Sequence, residues 1–303
     1  MGGFVGLVIA LGLAAGLGFL DDRLETPDDS QHLGFPVIGY ITRHKELGAV
    51  KSYSDASDII MLTAPNSPTA EAYRMLRTNV LFSYSDPPRK VFLVTSSHPN
   101  EGKTTVSANL AFAMSQMDLR ILFVEADLRN PSIGKMFDLD ETRGLSQLFL
   151  RDHYDGYIEP YEGNLSILPA GERPPNPSEL LSSRRMRDFL AYARDHYDAV
   201  VVDSPPILAV SDALMLSRLV DGVLMVVRSN STSSAHAQRA ISQLLALHDS
   251  SPVPLNQTGM EQSPISLGLI MNFLNPRGGQ TYGYYGKYSH YYIDAESTSK
   301  DAT

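Results

Sequence analysis

The feature that leaves this chain least freedom is a rhythm. Short, almost unbroken apolar runs at 91–95, 121–125, 165–168, 200–203, 223–227 and 267–271 alternate with longer helical patterns near 104–117, 178–197, 211–217 and 233–247. Apolar strands without polar alternation are buried on both faces, and helices between them are the crossovers that parallel strands require. The expected fold is therefore α/β, a mostly parallel sheet covered by helices on both sides. A further helix is expected from Pro68, suited to a first turn, towards Phe82. A chain of 303 residues has room for one such domain plus appendages.

The loop after the first of these runs reads Ser96-Ser97-His98-Pro99-Asn100-Glu101-Gly102-Lys103-Thr104-Thr105. It follows a strand and opens a helix, the context a phosphate-cradling P-loop demands. Backbone N–H groups of Pro99-Asn100-Glu101-Gly102-Lys103-Thr104-Thr105, proline apart, are expected to form the anion nest. Lys103 reaches β/γ-phosphates and the Thr104 hydroxyl ligates Mg²⁺ in this reading. Ser97 stands where G-x-x-x-x-G-K-[ST] has its first glycine.

Two other strand ends carry acids: Glu125-Ala126-Asp127-Leu128-Arg129 and Asp203-Ser204-Pro205-Pro206. Ligands of open α/β sheets bind at the carboxyl ends of the strands, so these groups should face the loop. Asp127 and Asp203 are the expected Mg²⁺ carboxylates. Glu125 and Asp127 are both candidates for accepting a phenol proton, which a group of pKa near 10 needs at neutral pH.

The tail supplies phenols. Tyr282, Tyr284, Tyr285, Tyr288, Tyr291 and Tyr292 fall within eleven residues, six of the chain's 15 tyrosines. A nucleotide triphosphate site and a row of acceptors on one polypeptide imply a kinase that phosphorylates its own kind. At the other end, residues 2–20 form an uncharged apolar run, roughly 28 Å long as a helix and close to a bilayer's hydrocarbon thickness. The nearest cations, Arg23, Arg43, Lys45 and Lys51, all follow it, which puts the remainder on the cytoplasmic side of the inner membrane. The expected divisions are a transmembrane helix at 1–20, a juxtamembrane connector at 21–65, a kinase domain at 66–276 and a disordered tyrosine tail at 277–303. Within the connector, the patch 35–40 is expected to dock as a short strand or turn. A net charge of −9 argues against a nucleic-acid partner, and the absence of Cys removes disulfides and thiolate metal sites.

Taken together, these segments resemble the bacterial tyrosine kinases (BY-kinases), the cytoplasmic part of exopolysaccharide and capsule co-polymerases. Glu71-Ala72-Tyr73-Arg74-Met75-Leu76-Arg77 is similar to that family's oligomerisation helix, 97–104 to its Walker A, 121–129 to its Walker A′ and 200–212 to its Walker B. Leu267-Gly268-Leu269-Ile270-Met271-Asn272 is similar to a segment whose Asn contacts adenine. The resemblance implies a P-loop fold, ATP and Mg²⁺, a ring of identical subunits touching through Glu71, Arg74 and Arg77, and phosphorylation of tail tyrosines between neighbours. It also implies a co-polymerase membrane portion, a tyrosine phosphatase and polysaccharide polymerase and export machinery as partners. By that likeness the preceding helix and extracytoplasmic domain belong to a missing part or a separate chain. Glu125 stands in place of the family's first Walker A′ Asp, and Asn100 in place of a frequent Gly.

Two other functions fit the P-loop. One is a partitioning or division-site ATPase that transfers phosphate only to water, but His98 occupies the place of that group's extra lysine. The other is a membrane-anchored scaffold with an impaired site, suggested by Ser97 and Glu125. The charges Glu71, Arg74 and Arg77 share one helical face and are equally a solvated stripe on spacing alone.

Overall fold

The computed structural model describes residues 22–43, 59–83, 90–149, 154, 156–249 and 266–274. The described strands are β1 (Val37–Thr42), β2 (Val91–Ser96), β3 (Ile121–Glu125), β4 (Glu159–Pro160), β5 (Leu165–Leu168), β6 (Ala199–Asp203), β7 (Gly222–Arg228) and β8 (Ser266–Leu274). They form one eight-stranded sheet in the order β1-β8-β7-β2-β6-β3-β5-β4. Every neighbouring pair is parallel except β4 with β5 at one edge. Each of the six apolar runs is a strand of the parallel part, as the rhythm requires. The patch at 35–40 contributes to β1, which pairs with β8 through Val37–Leu269 and Tyr40–Met271.

The helices are α1 (Pro27–Gln31), α2 (Ile60–Thr63), α3 (Pro68–Ser83), α4 (Lys103–Ser115), α5 (Ile133–Met136), α6 (Leu145–Leu148), α7 (Pro177–Ser182), α8 (Arg184–His196), α9 (Asp212–Ser217) and α10 (Ser234–Asp249). The pattern at 178–197 is two helices, not one. Ser183 adopts extended backbone (φ −67°, ψ 162°) and its hydroxyl accepts the Met186 N–H at 3.2 Å, so one serine ends α7 and caps α8.

Alternate residues of each central strand enter opposite cores. Phe92, Val94, Phe123, Val201 and Leu224 pack with Tyr73, Leu76 and Val80 of α3 and with α4. Val91, Leu93, Val124, Val202 and Met225 pack with Met186, Phe189 and Leu190 of α8 and with α10. Each large side chain buried this way contributes roughly 1.5–3 kcal/mol. From Val106 to Ser115 every residue of α4 is buried, because α3 covers its outer side. A helix enclosed in that way holds its first turn rigidly, and that first turn follows the loop expected to cradle phosphate.

Residues 22–25 also join the domain. Leu24 is buried, its N–H donates to Thr232 O at 2.9 Å, and Ser234 N–H donates to Asp22 O at 2.8 Å. Among the described residues no helix is long and apolar enough to cross a membrane. The apolar run 2–20 and the tyrosines at 282–292 lie outside the described residues.

Candidate active site

The loop between β2 and α4 is shaped by two residues in left-handed backbone, Asn100 (φ 64°) and Gly102 (φ 88°). Asn is among the few side chains that tolerate this region, which explains how it replaces a glycine at position 100. Position 102 is stricter. A Cβ there would lie 2.2 Å from Asn272 Nδ2 and 3.1 Å from Phe273 Cε2. The reversal turns the chain into α4, a 13-residue helix whose free N–H groups and positive dipole end face the loop's mouth.

At the start of α4, Lys103 Nζ lies 3.0 Å from Asp127 Oδ2 and 3.5 Å from Asp203 Oδ2. Thr104 Oγ1 donates to Asp203 Oδ2 at 2.8 Å, and Ser107 Oγ donates to Asp203 Oδ1 at 3.1 Å. Asp203 ends β6 and Asp127 follows β3, and β6 lies in the sheet between β2 and β3. Lys103 and Thr104 at the start of α4 therefore meet Asp127 and Asp203 from the ends of β3 and β6. Burial works against the Lys103 ammonium, but Asp203 and Asp127 overcome it and hold its pKa above the ordinary lysine value. Burial pushes the Asp203 carboxyl up; Lys103 pulls it down and the Asp127 charge adds to the rise.

Glu125 has different neighbours. Its Oε1 accepts N–H groups of Ser132 and Ile133 (2.7 Å to the latter), and Oε2 accepts Ala170 N–H at 3.1 Å. Burial drives its pKa to about 7 against the pull of those three donors. Its carboxylate braces the loop that carries Asp127 against the segment after β5. Asp127 Oδ1 accepts only a local bond from Asn130 N–H at 3.1 Å, while its Oδ2 faces Lys103.

Glu101 also turns inward. Its carboxylate accepts Ser97 Oγ at 2.8 and 3.1 Å, His98 N–H at 3.0 Å and the Thr232 hydroxyl. Pro99 and Asn100 are exposed at the tip, and Thr105 lies in the first turn with its carbonyl taken by Asn109. Asn272, at the end of β8, donates from Nδ2 to Glu101 O at 3.1 Å, so it borders the loop. Glu71 and Arg74 pair with each other at 2.9 Å, and Arg77 Nη1 donates to Ala113 O at 2.9 Å. All three sit on α3, and Arg77 meets the C-terminal part of α4, away from the loop.

Three nearby residues escaped the sequence reading. Ser107 lies three positions after Thr104, one helical turn on, which is the signal that could have found it. Arg228 donates to Asn100 O at 2.9 Å and stacks over Phe273 at 4.4 Å; Thr232 holds Glu101. Neither has a local sequence mark.

The donor set suits a phosphate-bound magnesium ion: two carboxylates, a hydroxyl, a lysine and a backbone nest. No group of three or more His, Cys, Asp or Glu that would hold a metal unaided occurs among the described residues. Comparison with known proteins agrees with the geometry. The AAA domain family matches residues 90–251. "Tyrosine-protein kinase YwqD" of Bacillus subtilis is 36% identical over 231 residues, covering 76% of this chain and 91% of that protein. "Tyrosine-protein kinase etk" of Escherichia coli is 31% identical over 300 residues, 94% of this chain but 39% of that longer protein. The solved kinase domain of the E. coli tyrosine kinase ETK superposes with a TM-score of 0.74 at 30% identity, covering 86% of this chain and 99% of that one. With a P-loop sheet, an aspartate-bridged lysine and relatives matched over nearly their whole kinase length, the chain belongs to the bacterial tyrosine-protein kinases.

Proposed function

We propose that this chain is an ATP-dependent autokinase that phosphorylates its own tyrosine cluster in trans and so regulates capsule or exopolysaccharide assembly from the inner membrane. The observation that carries the reading is the Lys103 ammonium held between Asp127 and Asp203, with Thr104 on the same carboxylate. In this reading Lys103 would turn from its carboxylates to the β/γ-phosphates, and the Thr104 hydroxyl, Asp203 and Asp127 Oδ2 are the groups that would hold Mg²⁺. ATP and Mg²⁺ supply the phosphoryl group and neutralise its charge. The loop N–H groups would hold the phosphates, and Asn272, which borders the loop, is the residue that would meet the adenine. Asp127 is the better proton acceptor of the two candidates, through Oδ1, which takes a local bond from Asn130 N–H while Oδ2 faces the metal position; Glu125 is committed to three backbone N–H groups. The phenol of Tyr282, Tyr284, Tyr285, Tyr288, Tyr291 or Tyr292 attacks the γ-phosphorus, its proton passes to Asp127, and ADP leaves.

The same reading places copies of the chain in a ring through Glu71, Arg74 and Arg77. It places residues 1–20 in the membrane beside a co-polymerase portion, and opposes the kinase with a tyrosine phosphatase. Each phosphotyrosine adds about two negative charges, so a fully modified tail would repel its neighbours and loosen the ring. Polymerase and export proteins would be the downstream partners. The name "Putative tyrosine-protein kinase in cps region", of a Klebsiella pneumoniae relative 34% identical over 235 residues, supports the polysaccharide setting.

The test is incubation of the purified chain with ATP and Mg²⁺ followed by phosphosite mapping. Phosphate on residues 282–292 in wild type and none in Lys103→Met is the expected result. Inorganic phosphate with bare tyrosines would identify a switch ATPase instead, and neither product would identify a scaffold.

A further inference from the structure

We infer that Glu101 is a positioning residue that fastens the phosphate loop from beneath, and that Thr232, far outside every sequence motif, is its anchor. This rests on the reading of residues 97–105 as the nucleotide site, but it reassigns Glu101 from a nucleotide contact to an internal staple. Glu101 is only 4% exposed, and its carboxylate is turned towards Ser97, His98 and Thr232. Its two oxygens take the Ser97 hydroxyl and His98 N–H at the loop's start and the Thr232 hydroxyl beyond β7. A buried carboxylate with that many donors is bound to its place, since losing a donor leaves charge unpaired in a low-dielectric interior.

The anchor is itself fixed. Thr232 Oγ1 accepts Arg228 N–H at 2.8 Å and Thr232 N–H donates to Arg228 O at 2.9 Å, closing the turn that leaves β7. Two further ties reach the loop's main chain from the same sheet edge: Arg228 to Asn100 O at 2.9 Å and Asn272 to Glu101 O at 3.1 Å. Together they hold Asn100 and Gly102 in left-handed backbone, the conformation that aims successive N–H groups at one point. A nest already in shape spares an incoming phosphate the cost of ordering the loop. Ser97, which departs from the glycine of the standard motif, is explained by the same contact: a glycine could not donate to Glu101.

A staple of this kind acts on nucleotide binding more than on the transfer step. The test uses the full chain and the substitutions Thr232→Val, Thr232→Ser, Glu101→Ala and Glu101→Gln. The readouts are the Kd for a fluorescent ADP analogue, KM and kcat for ATP, and Tm without nucleotide. Thr232→Val is expected to raise Kd and KM about tenfold, the loss of one charge-assisted hydrogen bond, with kcat within about twofold of wild type. Thr232→Ser keeps the hydroxyl and should return both to within about threefold. Glu101→Gln retains an acceptor for His98 and Ser97 and should bind nucleotide better than Glu101→Ala. Adding Ser97→Ala to Glu101→Ala should cost little more, because the two share one contact. Equal Kd and KM in Thr232→Val and Thr232→Ser, or a lowered Tm with nucleotide affinity unmoved, would overturn the staple. A wild-type chain that binds no nucleotide would sink the underlying site instead, and that control separates the two failures.

Discussion

Replacing Glu125 by Gln should abolish a specific pH dependence of stability. The carboxyl is 1% exposed, and burial raises its pKa from 4.5 to about 7. Between those values the folded chain keeps a proton that the unfolded chain releases. The protonated carboxyl therefore contributes stability that is complete below about pH 4.5 and is lost as pH rises through 7. At about 1.4 kcal/mol per pH unit the whole effect is about 3 kcal/mol. Glutamine places its carbonyl oxygen where Oε1 accepts Ser132 and Ile133, and its NH₂ faces Ala170 N–H in place of an acceptor. That mismatch is a constant offset with no pH dependence. Urea unfolding of wild type and Glu125→Gln at pH 5, 6, 7 and 8 isolates the effect, because every other titrating group cancels in the difference. The stability of wild type relative to the variant should fall across this series by about 2 kcal/mol or more. A difference flat to within about 0.5 kcal/mol would mean that Glu125 is ionised throughout, and that its backbone donors outweigh burial.

Gly102→Ala should weaken nucleotide binding at least about tenfold and lower Tm by several degrees, since left-handed backbone alone costs an alanine about 1 kcal/mol before it meets Asn272 at 2.2 Å; calorimetric titration and melting measure both. Lys103→Met leaves the buried Asp127 and Asp203 without their cation. It should destabilise the nucleotide-free chain by about 3 kcal/mol. Adding Asp203→Asn should recover much of that loss in urea unfolding, and strictly additive losses would refute the coupling. Breaking the bidentate Arg129–Asp212 pair (2.7 and 3.1 Å) with Arg129→Lys should raise KM for ATP severalfold, because that pair ties the Asp127 loop to α9.

Much of this was legible because the parallel sheet writes itself into short contiguous stretches. Val91 to Ser96 is buried at every position, and such a run has few alternatives in a chain of this composition. That Asp127 and Asp203 would meet the loop carrying Lys103 and Thr104 followed from a single rule about strand ends. What the sequence hid were the partners of buried carboxylates. Glu101 and Glu125 sit inside motifs that suggest contact with nucleotide or substrate. Their side chains are instead fixed by Thr232 and Ala170, residues distant in sequence that no periodicity connects to them. The break between α7 and α8 was missed because Ser183 interrupts an amphipathic pattern that continues across it. The single turns α5 and α6, four residues each, are too short to show a period at all.

The central claim is that one chain's site serves another chain's tail, and a mixing experiment tests it directly. Lys103→Met chains with intact tyrosines would be the acceptor. Chains with Phe at 282, 284, 285, 288, 291 and 292 and an intact loop would be the donor. Each is inert alone, and phosphotyrosine on the Lys103→Met chain after mixing with ATP and Mg²⁺ is the predicted outcome. Acceptor tails that stay bare, while wild-type chains modify theirs under the same conditions, would contradict transfer between neighbours.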